Sequence, residues 1–312
     1  MHHHENAVAG VLQRSGLVLE GGGMKGVYTA GVLDFFMEED WYFPHIFGVS
    51  AGASTAASYV SKQIGRNKRI MIDYVDHPEY IGPRNVIKEK SFIGLNLMFN
   101  KIPMEYDPFD FQVFHDAKQK LWMGTTDAIT GEAHYITNED CKENGWNILK
   151  VLQASCSLPF VSPAVHLGGR ILFDGGVADP IPITPALQQN LDKIVVILTK
   201  DVDYQIKPFK RKSLLKMRYP KYEGLKKAML NRANVYNQSL ATIKKLEEQN
   251  KAFVIRPSKK VEVSRLDKDK QKLEDLYDLG YEDAKQQAVA LKQWIQQSDN
   301  CVNKHSKDCI ST

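Results

Sequence analysis

Three short stretches hold the residues of this sequence that could do chemistry. In Gly48-Val49-Ser50-Ala51-Gly52 a serine stands between two glycines, the spacing of a nucleophile elbow. The flanking Gly48 and Gly52 let the chain turn sharply enough to present the Ser50 hydroxyl at a strand end. Its neighbour Ala51 then supplies a backbone N–H behind the point of attack. Upstream, Leu17-Val18-Leu19-Glu20 runs into Gly21-Gly22-Gly23-Met24-Lys25-Gly26. This glycine turn has two readings. As Gly21-x-Gly23-x-x-Gly26 it satisfies the dinucleotide fingerprint, but that motif needs an acid at the end of the following strand, and here that strand ends in Gly48-Val49-Ser50. As an oxyanion hole, its amides at Gly22, Gly23 and Met24, beginning from Gly21, would stabilise charge on a carbonyl oxygen. A serine on the adjacent strand favours the second reading.

A serine needs a base. The strand Arg170-Ile171-Leu172-Phe173 ends in Asp174-Gly175-Gly176, a carboxylate held between apolar chain and two permissive glycines. On its own this is an ordinary Asp-Gly-Gly turn; beside Ser50 it is the candidate base. The hydrolase order of serine, acid and histidine calls for a histidine after the acid. Only His305, in a polar tail, follows Asp174, while His45, His77, His115, His134 and His166 precede it. The simpler arrangement is a Ser50–Asp174 dyad, with the carboxylate taking the serine proton directly. Lys25 sits where a helix dipole disfavours a cation, so it requires a buried carboxylate or an anionic substrate group as partner.

Taken together and in this order, the three motifs, with Ala154-Ser155-Cys156-Ser157-Leu158-Pro159-Phe160 before the acid, resemble the patatin-like phospholipase family. The resemblance covers about Gly16 to Thr199. It implies an α/β fold, a three-layer α/β/α sandwich with a mainly parallel central sheet, and a Ser–Asp dyad that hydrolyses fatty-acyl esters of lipids without a metal or other cofactor. The oxyanion turn of this family often carries arginine where Lys25 stands. The backbone donors are unaffected, but a bidentate role for that side chain is lost. The rival functions are a non-catalytic lipid-binding or scaffold protein and a dinucleotide-binding oxidoreductase.

The elements that must position these residues are legible in outline. Leu17–Leu19, Ile46–Val49 and Lys193–Thr199 are continuous apolar runs, as parallel strands buried on both faces require. Val27, Ala30, Gly31 and Asp34 recur at helical spacing between the first two, giving a βαβ start. Residues 65–81 read as helical until Gly82-Pro83. Ser91 to Pro103 is apolar but broken by Gly, Asn and Pro, either the wall of an acyl-chain site or a packed cross-over. Leu121–Ala128 and Ala133–Thr137 flank Thr130-Gly131 as a hairpin, and residues 146–155 form a short helix. Cys156, with no histidine near it in sequence, reads as a small core thiol.

The chain of 312 residues is long enough to bury a large core, with an expected acyl-hydrolase domain at 13–204 and a mainly helical extension at 205–300 packed on it. In that extension, residues 222–250 and 267–297 read as helices and Ala252–Pro257 as a strand that joins the sheet, covering elements without chemistry of their own. Residues 1–12 and 301–312 are expected to be flexible tails. A formal net charge of +4 is too mild to imply nucleic acid. It is unevenly placed: from Lys207 to Arg232 ten basic residues face one acid, Glu223, with aromatic and aliphatic residues interleaved. Such a stretch suits either contact with an anionic membrane surface or a solvated helix face. Cys141, Cys156, Cys301 and Cys309 show neither metal-ligand spacing nor a disulfide framework, and no run is long enough to span a bilayer. The expected setting is cytoplasmic, with any membrane contact peripheral.

Overall fold

The computed structural model describes residues 14–297, so the expected tails 1–12 and 301–312 lie outside it. Its centre is a sheet in which β1 (Ser15–Leu19) pairs in parallel with both β2 (His45–Val49) and β7 (Lys193–Ile197). β2 pairs in parallel with β3 (Lys120–Asp127), and β7 with β8 (Ala252–Ile255). The remaining strands, β4 (Ala133–Thr137), β5 (Val165–Leu167) and β6 (Arg170–Asp174), are antiparallel and lie at the β3 end of the order β5-β6-β3-β2-β1-β7-β8, with β4 paired to β3.

Each central strand sends alternate residues to opposite faces, the period-two rule of a pleated strand. Leu17, Leu19, Ile46, Val195 and Ile197 join one core cluster, while Val18, Phe47, Ile194 and Val196 join another. Four helices cover the first face: α1 (Val27–Glu38), α2 (Ala51–Val60), α3 (Ile148–Ser155) and, beyond them, a long C-terminal helix at Lys270–Gln296. A short helix, α4 (Lys212–Arg218), seats Leu215 with Phe173 and Tyr219 in a third cluster. α5 (Glu223–Glu248) lays Tyr236, Ile243 and Leu246 on the second face, which completes the α/β/α sandwich. The C-terminal helix, α6 (Lys270–Gln296), is bound to α1 by two buried bonds: Tyr277 Oη donates to Asp34 at 2.7 Å, and Tyr28 Oη donates to Asp283 at 2.9 Å.

The register around β3 positions the chemistry. β4 occupies one edge of β3 along Trp122–Thr126, so β2 and β6 must share the other edge end to end. β2 runs parallel to β3 and stops with Val49 opposite Gly124; β6 runs antiparallel and stops with Asp174 opposite Thr125. Two strands arriving from opposite directions therefore end at adjacent β3 residues, bringing Ser50 and Asp174 together. Thr126 Oγ1 fixes the end of β6 by donating to the Asp174 carbonyl at 2.7 Å.

Two helical expectations change. Residues 65–81 are helical only from Arg66 to Asp73, the latter part in a wide π-turn, and then pass into turns. Pro78 keeps the helix from resuming, since it lacks an N–H and disfavours helical backbone at His77. Pro83 does not end a helix but begins one, Pro83–Glu89, at the position where its missing N–H costs nothing. Among the described residues no helix is long and apolar enough to cross a membrane.

Candidate active site

Ser50 caps α2 with φ 55° and ψ −127°, a conformation costly for a residue with a side chain and characteristic of a strained strand-to-helix turn. The strain is held by packing and by bonds. A Cβ on Gly52 would lie 2.6 Å from the Leu19 carbonyl oxygen, and one on Gly48 2.8 Å from Ala53, so neither flank accepts a larger residue. The Ser50 N–H donates to Ser155 Oγ at 2.8 Å, and Ser155 Oγ donates onward to the Gly124 carbonyl at 2.7 Å. Ser155, at the end of α3, thereby ties the elbow to β3.

The Ser50 hydroxyl donates to Asp174 Oδ2 at 2.7 Å, and the other carboxylate oxygen, Oδ1, accepts the Gly176 N–H at 2.7 Å. Burial raises the Asp174 pKa above the ordinary carboxylate value; the bonds from Ser50 and Gly176 and the charges of Arg265 and Arg232 oppose that shift. Gly175 fits where it does because its α-carbon rests against the Gly124 carbonyl, with no room for a Cβ. Among the described residues no histidine lines the cavity that holds this pair.

Of the expected amide donors, two are already engaged. Gly21 N–H donates to the Pro180 carbonyl at 3.3 Å and Met24 N–H to the Arg265 carbonyl at 3.0 Å. These corrections narrow the set: Gly22, Gly23 and Ala51 keep amides with no backbone acceptor among the described residues, and all three line the cavity beside Ser50. Gly23 has φ +58° and faces the backbone and side chain of Arg265, so both its conformation and its surroundings exclude a Cβ. Gly26 approaches α2, where a Cβ would stand 2.7 Å from that of Ala51. Beneath the turn, Glu20 is buried against Lys200 and accepts the Thr199 N–H at 2.6 Å. Among the described residues Lys25 reaches no carboxylate within ion-pair distance, and it does not line the cavity. Its ammonium lies 5.9 Å from the Tyr204 ring centre, and partial burial lowers its pKa against the opposing pull of Asp201 and Glu20.

The cavity of about 160 Å³ is mostly apolar, and Ile93, Leu95, Met98, Phe99 and Pro103 from the interrupted 91–103 segment form one wall. Leu97 and Ile102 of that segment turn into the core, so it is at once a packed cross-over and a wall. Cys156 also lines the cavity, 3.3 Å from Ser54 Oγ, rather than filling the core. Burial and the Asp174 charge push its thiol up to about 12, so it stays protonated. Sequence reasoning did not single out Arg232 of α5 or Arg265 of the loop before α6, and both stand in the wall. Of the basic 207–232 stretch, Lys226 is likewise turned inward, against Glu223 and the Pro220 carbonyl.

Comparison with known proteins now bears on this geometry. A model described as patatin-like phospholipase matches residues 17–187, more than half of the chain, and a domain of unknown function, DUF6363, matches residues 222–296. The uncharacterized protein YjjU of Escherichia coli (strain K12) is 29% identical over 192 residues, covering 60% of this chain and 52% of its own. The uncharacterized protein YqhO of Bacillus subtilis (strain 168) is 23% identical over 187 residues, covering 53% of this chain and 64% of its own. The chain thus spans about half to two thirds of these relatives' lengths. Among solved structures, the crystal structure of VipD from Legionella pneumophila superposes with a TM-score of 0.50 at 14% identity, covering 88% of this chain and 66% of that one, a likeness of fold. With an elbow serine, a facing aspartate and a glycine turn all inside the matched residues 17–187, the chain belongs to the patatin-like phospholipase family.

Proposed function

We propose that this chain is a serine acyl hydrolase that cleaves fatty-acyl esters of lipids through a Ser50–Asp174 dyad and an acyl-enzyme. The observation that carries the reading is the 2.7 Å bond from Ser50 Oγ to a buried Asp174, at a mostly apolar cavity also lined by Gly22, Gly23 and Ala51, whose amides have no backbone acceptor among the described residues. Ser50 Oγ attacks the ester carbonyl as its proton passes to Asp174 Oδ2. The carbonyl oxygen, now anionic, is stabilised by N–H groups of Gly22, Gly23 and Ala51. The C–O bond to the alcohol breaks, and the alcohol leaves with the proton from Asp174. Water then attacks the acyl-serine, Asp174 accepts a water proton and returns one to Ser50, and a fatty acid departs. The hydroxyl is a far weaker acid than the protonated carboxyl, so positioning and the amide donors must supply most of the acceleration. Residues 14–204 carry this chemistry in our reading, and residues 205–297 are a mainly helical extension that adds β8 to the sheet edge.

A fluorophosphonate probe tests the assignment directly. Labelling should map to Ser50 and vanish in Ser50→Ala, together with fatty-acid release from lipid extract. Parent-level release by Ser50→Ala would refute it.

Peripheral contact with an anionic membrane is supported by one surface. On α4 the apolar Met217, 74% exposed, stands between the exposed Lys216 and Arg218. Co-sedimentation with liposomes should therefore require anionic lipid and weaken in a Lys216→Glu/Arg218→Glu variant. Binding indifferent to lipid charge would refute this contact.

A further inference from the structure

The turn that carries Asp174 is permissive and has to be held. Gly175 and Gly176 follow the aspartate, two residues with no side chain to limit their backbone. One side of the turn is fixed from β3, where Thr126 Oγ1 donates to the Asp174 carbonyl at 2.7 Å and accepts the Ala178 N–H at 3.1 Å. Gly176 aims the carboxylate, because its N–H is bonded to Oδ1 while Ser50 is bonded to Oδ2. The Gly176 carbonyl is tied from a distant part of the chain: it accepts Nε–H of Arg232, on α5, at 2.5 Å.

Arg232 brings a charge as well as a bond. Among the described residues no carboxylate lies within ion-pair distance of its guanidinium, and of the carboxylates that act on it Asp174 comes ahead of Glu20, which is taken by Lys200. Arg66, in the same cavity wall, is the contrast: it is paired with Asp107 and lies over the Phe109 ring. A partly buried cation without such a pair is unfavourable unless a negative charge nearby compensates it. Asp174 has the converse need. The groups that face it are the Ser50 hydroxyl from α2, the protonated Cys156 thiol after α3, Arg232 from α5 and Arg265 from the loop before α6, so its compensating charges are the two arginines. Arg265 belongs to the other turn, with its carbonyl on the Met24 N–H and its side chain against Gly23. Of the two, Arg232 is the one bonded to the acid turn.

We propose that Arg232 is a positioning residue for Asp174: it ties the Gly176 turn that aims the carboxylate and sets a compensating charge beside it. The region matched as a domain of unknown function, residues 222–296, thereby takes part in the chemistry of the region matched as patatin-like. This proposal rests on the hydrolase reading above.

Two substitutions separate the tie from the charge. In Arg232→Gln the Nε2 stands as many bonds from the backbone as the arginine Nε, so an N–H remains for the Gly176 carbonyl while the charge is gone. Arg232→Met removes both. On a soluble short-chain ester, Arg232→Gln should move the acid limb of kcat/KM up by about one pH unit and regain the parent rate, within about threefold, on the alkaline side. Arg232→Met should show the same displaced limb and, at every pH, a kcat lower by about tenfold or more with KM within about threefold of the parent. Arg232→Lys should bring the limb back towards the parent position. An unmoved limb in Arg232→Gln, or glutamine and methionine variants that lose the same fraction of activity at every pH, would make Arg232 a structural contact only and overturn the proposal. The NMR signal of an isotopically labelled Asp174 carboxyl carbon, identified by its absence in Asp174→Asn, separates this outcome from failure of the hydrolase reading. Its titration should move upward in Arg232→Gln by the same amount as the limb. If it does and the parent hydrolyses no ester, the hydrolase reading fails and the coupling of Arg232 to Asp174 stands. If the parent hydrolyses esters but the carboxyl titrates alike in both proteins, the coupling fails and the hydrolase reading stands.

Discussion

The two turns that meet at the cavity are built alike in sequence, strand then glycines then helix, yet they are held in different ways. The Ser50 turn is secured within the N-terminal region: Ser155 binds its N–H, Gly124 receives Ser155, and Leu19 closes on Gly52. The Gly21–Gly26 turn depends on residues far along the chain. Pro180 and Arg265 carbonyls take two of its amides, and Thr199 with Lys200 and Glu20 lies beneath it. The nucleophile is thus braced by the sheet that carries it, whereas the turn facing it takes its shape from the loop between β8 and α6. The C-terminal region does more than cover the sheet: its Arg265 carbonyl holds the Met24 amide, and Arg232, Arg265 and Leu266 line the cavity.

Substitutions can break this contrast, and the largest effect is expected under the glycine turn. Lys200→Met leaves Glu20 buried without its counter-charge and should cost about 3–5 kcal/mol of stability, measured by chemical denaturation. A loss comparable to that of an exposed lysine would mean that the turn has other support. Gly23→Ala forces a side chain into left-handed backbone against Arg265, displacing an amide of the proposed oxyanion hole. Steady-state rates should show kcat down by roughly 10²-fold, the usual size for one lost oxyanion donor. Ser155→Ala probes the other turn. It strips the Ser50 N–H and the Gly124 carbonyl of a shared partner, and should cost about 1–3 kcal/mol in a melting experiment.

The smallest effect concerns pH and the raised pKa of Asp174. A base must be ionised, so the acid limb of the kcat/KM profile should lie above the ordinary carboxylate value. Native Asp174 also holds its proton more tightly than an unfolded chain does. Stability therefore falls as pH rises from the ordinary value through the raised one, because within that window only the native state keeps the extra proton. Asp174→Asn removes the penalty. It should melt above the parent on the alkaline side of that window and level with it on the acid side.

Much of the site was legible because turn chemistry is local. Ser50 between Gly48 and Gly52, and Asp174 before Gly175-Gly176, need only a strand before them to declare what they can do. The apolar runs at 17–19 and 193–197 announced buried parallel strands, and Ala252–Pro257 was correctly read as a strand joining the sheet edge. What sequence could not supply was pairing. That β2 and β6 end head to head on one edge of β3 follows from the position of β4, and nothing in either strand's composition encodes it. Ser155 stood in view within a motif, but its bond to a backbone 105 residues away did not. For the same reason the Met24 amide looked free until the Arg265 carbonyl arrived from the far end of the chain. The basic run at 207–232 hid two different fates, since a charge count cannot separate Arg232 in the cavity from Arg218 on the surface.

The central claim is that Asp174 activates Ser50, and kcat/KM of Asp174→Asn on a soluble short-chain ester tests it most directly. Asparagine has the same shape and can still accept the Gly176 N–H through its one oxygen, but the amide nitrogen it then turns to Ser50 is a donor and cannot take the serine proton. The account predicts a fall of about 10³-fold or more, the scale on which such catalytic groups act, in a variant that folds at least as well as the parent. A rate within about threefold of the parent, smaller than the loss of any catalytic base, would contradict it.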